Sequence, residues 1–348
     1  MKKPLLTLMI VLAVLAGGCG RGSADRSSGE LTLFTWAEMF PPEILEGFQK
    51  ETGVTINYIY FDLNETMLTR LETTGGYDLI IADDYILETV IGKGLAAKID
   101  KSLLSNYGNI NPIYQKQFYD PADEYTVPYG SGVQTIVYDP SQIGLNITGY
   151  ADLFDPSLKG KLGAIENYRV INGMALKVLG KSYNTENLDD IRAAGGKLLE
   201  FAPNIRLLRD DGLENDLISG EVGGAIMYTS QVTSAMLEKP GLKVVFPREG
   251  IGFGIMAFFI PASAKNNGAA HQFINYVLDP QRGAECFEHL GYYSTYSASD
   301  PLIGDEYKPF LTLPEGFNIE MEMIQNVSAE VDEEHQRIWT AFKEAAGR

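Results

Sequence analysis

Cysteine is nearly absent from this chain of 348 residues: Cys19 and Cys286 are its only two. Neither a disulfide framework nor a cysteine-based metal cluster can be built from such a pair. Histidine is almost as scarce. His271, His289 and His335 all fall in stretches that read as helical, and none has the His-Glu-x-x-His spacing that puts two ring nitrogens on one helical face for a metal. There is no phosphate loop, dinucleotide fingerprint or nucleophile elbow. The glycines at Gly130 and Gly132 lack the strand–turn–helix setting that such motifs need. Basic residues are few, 28 Lys and Arg against 46 Asp and Glu, for a formal net charge of −18. That balance argues against nucleic acid and against broad adhesion to anionic lipid, because both require clustered cations. It fits cationic solutes, and equally a protein kept soluble by its charge. No tandem repeat is present, and no cofactor is expected.

What is present begins with MKKPLLTLMIVLAVLAGGCG, two lysines, an apolar run short for a membrane span, then small residues and a cysteine. This reads as an export signal. Residues 15–19 resemble a bacterial lipoprotein processing site, with Cys19 lipidated as the mature N-terminus. Ala16 stands where Leu is usual, so a plain secretory peptide is the alternative. The small polar residues of 20–29 read as a flexible tether. The placement expected is therefore periplasmic, anchored to the membrane through lipid. With Cys19 so used, Cys286 has no partner. At 45% hydrophobic residues the chain is long enough for two lobes, since single cores stop growing below this size.

Leu31 to Phe34 is apolar and too short for a helix, so it reads as a buried strand. Pro41 and Pro42 suit a first helical turn that Gly53 ends. Between them lie Thr35, Trp36, Ala37, Glu38 and Met39, at the carboxyl end of a strand, where open α/β sheets bind ligands. Strands at 55–60 and 77–81 alternate with helices at 65–72 and from Tyr85 to about Gly92, so three strand–helix units follow in succession. Asn64, Asp83 and Asp84 are candidate helix caps. Thr126 to Tyr138 reads as a crossing into a second lobe with strands near 162–165, 224–228 and 244–246 and helices near 173–179, 188–201 and 213–218. Phe253 to Ile260 reads as the crossing back, before helices at 269–278 and 281–290. Two crossings make a hinge.

Aromatic rings next to carboxylates suit an amine: ring faces attract ammonium, methylenes pack on them, and carboxylates accept charge-assisted hydrogen bonds. Trp36, Glu38, Asp83, Asp84, Tyr85, Tyr228 and Tyr292 are the candidates. Cys286 and His289 lie three apart on one helix, which leaves an enzyme with Cys286 as nucleophile as the remote alternative.

Across nearly the whole chain the sequence resembles the bacterial spermidine/putrescine-binding proteins of ABC importers. The resemblance is carried by Trp36-Ala37-Glu38 with Pro41-Pro42, Glu51-Thr52-Gly53, Asn64-Glu65-Thr66-Met67, Tyr77-Asp78-Leu79, Val127-Pro128-Tyr129, Gly220-Glu221-Val222, Ile260 to Asn266 and Gly291-Tyr292. It implies an α/β fold of the two-lobed periplasmic-binding-protein type, type II-like, with two hinge crossings and a ligand cleft between lobes. Lobe 1 would comprise 30–135 and 253–303, lobe 2 136–252, with 304–348 packing back across both. It also implies delivery of a polyamine to a membrane permease and its ATPase. The resemblance carries over Glu38, Tyr85, Tyr228, Tyr292 and Gln325 as ligand-binding residues, beside Thr35 and Trp36 at the strand end, with Asp83, Asp84 and Glu166 as neighbouring acids. Departures from the family pattern are specific. Met39 replaces a tyrosine, Asn167 and Val170 stand where two amine-binding acids are usual, and Gly254 and Met256 replace an aromatic residue and a further acid. They leave open a different, singly cationic solute, or a surface adhesin or sensor derived from a transporter component.

Overall fold

The computed structural model describes residues 29–314 and 316–347. The export signal, Cys19 and all of the tether but Gly29 lie outside the described residues. In chain order the elements are β1 (Glu30–Thr35), α1 (Pro42–Thr52), β2 (Thr55–Tyr60), α2 (Asn64–Thr73), β3 (Leu79–Asp83), α3 (Asp84–Gly92), β4 (Thr126–Val133), β5 (Thr135–Tyr138), β6 (Leu162–Ala164), α4 (Tyr168–Val178), α5 (Leu188–Phe201), β7 (Ile205–Leu208), α6 (Leu213–Ser219), β8 (Gly224–Met227), α7 (Thr229–Glu238), β9 (Lys243–Val245), β10 (Ile251–Phe259), α8 (Asn267–Val277), α9 (Pro280–Leu290), β11 (Tyr293–Ser294), α10 (Lys308–Leu311), β12 (Met321–Met323) and α11 (Ala329–Ala345).

They form two sheets. The first runs β11-β4-β10-β3-β1-β2, with β12 added beside β10; the second runs β7-β6-β8-β5-β9. β1 lies parallel to both β2 and β3, whereas β10 is antiparallel to β3 and β4. The three expected strand–helix units are all here. Leu31, Leu33 and Phe34 are fully buried, and α1 opens on Pro42 and closes on Gly53, whose φ of 76° is the left-handed geometry that favours glycine.

Gln134 alone separates β4, in the first sheet, from β5, in the second. The return runs through 246–250, and the stretch expected to cross back, Phe253 to Ile260, stands in β10 of the first sheet almost to its end. The first crossing meets the start of β10, where the Gln134 backbone amide donates to Gly252 O at 3.1 Å. Thr229, at the start of α7, braces the same point, its hydroxyl accepting from Val133 N at 2.8 Å and donating to Val133 O at 3.0 Å.

The C-terminal segment spans both sheets. β12 pairs with β10, while α11 packs on α4 and α5, where Phe342 stacks on Phe201 at 5.9 Å. Glu322 of β12 reaches the second lobe, taking hydrogen bonds from Ser182, from Tyr183 N at 3.1 Å and from Asn184, and pairing with the buried Lys177 at 2.7 Å. Among the described residues no helix is long and apolar enough to cross a membrane.

Candidate functional site

A cavity of about 710 Å³ opens between the two sheets. Asp84, Tyr85, Phe253 and Gly254 line it from the first; Asn167, Tyr168, Arg169, Val170 and Tyr228 line it from the second. Gln134, in the crossing, contributes a further wall. Ile324, Gln325, Asn326, Val327, Ala329 and Asp332 of the C-terminal segment close the side.

The acidic end is built where β3 runs into α3. Neither aspartate caps that helix with its side chain. Asp84, 7% exposed, accepts the Ile255 amide at 2.8 Å and has no ion-pair partner among the described residues. A β-carbon at Gly254 would stand 3.2 Å from Asp84 Oδ2, a tight approach from which the carboxylate would have to shift by a few tenths of an ångström. Burial raises the Asp84 carboxyl to about 7, against the Ile255 amide that lowers it and with Asp83 adding to the rise. Asp83 lies behind, taking a hydrogen bond from Asn64 Nδ2 at 2.8 Å, and burial lifts it to about 6. Asn64 therefore spends its side chain on Asp83 and on Tyr85 OH, at 3.1 Å, rather than on capping α2. The Tyr85 hydroxyl in turn donates to Glu65 at 3.1 Å.

Facing it is the start of α4, five residues before the helix expected near 173–179. Asn167 caps it, its Oδ1 accepting from Arg169 N at 3.1 Å and Val170 N at 3.2 Å. Its Nδ2 meets Tyr228 OH at 3.4 Å. Arg169 donates to Tyr183 O at 3.2 Å and has no ion-pair partner among the described residues; its Nε is buried without a hydrogen-bond partner. Asp332 accepts from Tyr168 OH at 2.7 Å and from Gln336 at 2.7 Å. Gln134, 9% exposed, buries its amide oxygen without a partner.

Of the residues named from sequence, Asp84, Tyr85, Asn167, Tyr228 and Gln325 line this cavity, as do Val170 and Gly254, two of the departures from the family pattern. The others stand elsewhere. Thr35 is fully buried beneath the β1 loop, and Trp36 packs against Phe61 at 4.9 Å. Glu38 is exposed at a left-handed φ of 58°, over a separate shallow depression beside Tyr58 and Tyr60. The cause is local: Tyr58 OH donates to Trp36 O at 2.6 Å and accepts from Met39 N at 3.3 Å, which holds the loop against β2. Glu166 points to solvent and pairs with Lys343 at 3.1 Å. Met256 is buried in β10, against Gly130, and Tyr292 lies along Gly130 and Gly132.

Sequence reasoning missed Gln134, Tyr168, Arg169 and Asp332. Asp332 was findable: Val331, His335, Ile338 and Phe342 recur at helical spacing and are buried on one face of α11. Cys286, the nucleophile of the alternative reading, is fully buried on α9, and burial pushes its thiol up to about 12, the reverse of what a thiolate nucleophile needs.

Comparisons with known proteins bear on the family and the fold. Residues 43–308 match the family described as bacterial extracellular solute-binding protein. The chain is 33% identical over 305 residues to a spermidine/putrescine-binding periplasmic protein of Escherichia coli, covering 86% of each. It is 27% identical over 366 residues to the putrescine-binding periplasmic protein PotF of the same organism, covering 99% of this chain and 98% of that one. Among solved structures, the spermidine/putrescine substrate-binding protein PotD of Streptococcus pneumoniae superposes with a TM-score of 0.86 at 24% identity, covering 91% of this chain and 99% of that one. A lipoprotein of Treponema pallidum gives 0.77 at 24% identity, covering 90% and 99%. These likenesses account for both the two-lobed α/β fold and the resemblance carried by the sequence motifs, and the chain belongs to the bacterial extracellular solute-binding protein family.

Proposed function

We propose that this chain is the solute-capture component of an ABC importer, held at the membrane by lipid on Cys19, and that it delivers amines of the polyamine class to a permease and its ATPase. The observation that carries the ligand class is Asp84: a buried carboxylate without a cation of its own, in a cavity that also holds the Tyr85 and Tyr228 rings. An ammonium group satisfies such a carboxylate and packs its methylenes on the rings. The relatives named for spermidine and putrescine support the same class. Capture would proceed by rotation of the lobes about Gln134 and 246–250, so that the α4 and Tyr228 wall closes on the Asp84 wall.

Thermal unfolding of the purified protein with putrescine, spermidine and agmatine tests this, because a ligand of the native state raises stability by RT ln(1 + [L]/Kd). A rise of the midpoint with at least one amine is expected, and none with uncharged diols of equal length. Failure of every amine to shift it would sink the reading. Anchoring is tested separately: Cys19→Ser should release the protein from the membrane fraction.

A further inference from the structure

The charged groups that line the cavity are Asp84, Arg169 and Asp332. Two negative charges and one positive leave it one short of what a diamine needs and two short of what a triamine needs. The polarity is also divided between the walls. On one side stands Asp84, with no cation paired to it. On the other are Arg169, a guanidinium with no ion-pair partner among the described residues, and Asn167, whose Nδ2 is 3.4 Å from Tyr228 OH. An unpaired carboxylate on one wall and an unpaired guanidinium on the other call for a ligand with a cationic end and an oxygen acceptor.

We infer that the ligand is bipolar: an alkylammonium end held by Asp84 with Tyr85, an apolar stem against Tyr228 and Val170, and an oxygen acceptor at the far end held by Arg169 and Asn167. A second ammonium at that end would face the Arg169 guanidinium, where the one carboxylate lining that side, Asp332, already accepts from Tyr168 OH and Gln336. The shared chemistry is a primary amine separated by methylenes from a carbonyl or carboxylate, as in a singly acylated diamine or an ω-amino acid. This rests on the reading of the chain as an amine-capture protein and narrows it.

Isothermal titration of the purified protein with putrescine, N-acetylputrescine, 5-aminopentanoate and n-butylamine separates the cases. Expected is that N-acetylputrescine or 5-aminopentanoate binds at least about tenfold more tightly than putrescine and n-butylamine, the worth of one charge-assisted hydrogen bond. Which of the two binds better distinguishes the carbonyl from the carboxylate source. Putrescine as the tightest ligand would overturn the inference and leave amine capture standing. Equal binding of n-butylamine would overturn it too, since no far-end contact would then count. Silence from all four overturns the inference and the amine reading together. Asn167→Asp gives an independent check, because aspartate keeps the cap on α4 while adding a carboxylate to the far wall. It should move the ratio of putrescine to N-acetylputrescine affinity about tenfold towards putrescine; an unchanged ratio would remove Asn167 from the far-end contact and overturn the assignment.

Discussion

Asp84 combines burial, an unpaired charge and a position in the cavity. Its carboxyl is raised to about 7 by burial, so between the ordinary carboxylate range and that value the folded chain holds a proton that the unfolded chain has released. Stability of the ligand-free protein therefore falls as pH rises from about 4 to about 7 through this group, and Asp83, raised to about 6, adds a slope of the same sign. His335, fully buried and lowered from 6.5 to about 4, contributes the opposite slope over most of that range. The informative quantity is consequently the difference between wild type and Asp84→Asn in melting temperature at pH 5 and pH 8, where the variant should gain relative to wild type as pH rises. Amine affinity should run the other way, strengthening as Asp84 ionises, and Asp84→Asn should weaken it by about 10- to 100-fold, the equivalent of a charge-assisted bond of about 1.5 to 3 kcal/mol. Much of this site was legible in the sequence as residue types near strand ends. Asp84 and Tyr85 follow β3, and Tyr228 follows β8. Glu38 was misplaced by the same rule, because nothing in the local sequence discloses that Tyr58 would hold the loop's backbone against β2. Arg169 and Gln134 carry no pattern at all, since their exposure to the cavity depends on how two distant segments meet.

At the level of elements, β12 and its carboxylate tie the molecule together. Glu322 is drawn in opposite directions: burial would raise its carboxyl, yet Lys177, Ser182 and the Tyr183 amide together hold it below the usual carboxylate range. Lys177 is only 4% exposed on its side chain, and its other partner, Glu320, is mostly in water at 3.6 Å. Removing the charge on Glu322 would leave the ammonium buried with a weak, solvated counter-ion. Glu322→Gln should lower unfolding free energy by about 1.5 to 3 kcal/mol in urea, whereas Glu320→Gln should change it by less than about 1 kcal/mol, as befits an exposed pair. The α11 helix was only half visible beforehand. His335 sat in a stretch that read as helical, but no bounds were evident there. The three opening strand–helix units, by contrast, were readable throughout because short apolar runs, prolines and glycines punctuate them.

For the whole molecule, the proposed closure would turn about the point where Gln134 meets Gly252, which the Thr229 brace on Val133 adjoins. Small-angle scattering should accordingly record a smaller radius of gyration when a bound amine is present, and an unchanged radius at saturating ligand would sink the closure mechanism. The same topology governs how the chain comes to fold. β10 lies between β3 and β4, yet it follows the entire second sheet in the chain. The first sheet consequently has a gap at its centre until late in synthesis, and such long-range pairing is slow. A nascent chain that cannot complete its core early stays threadable, which is the state in which a polypeptide is passed across a membrane before it folds on the far side.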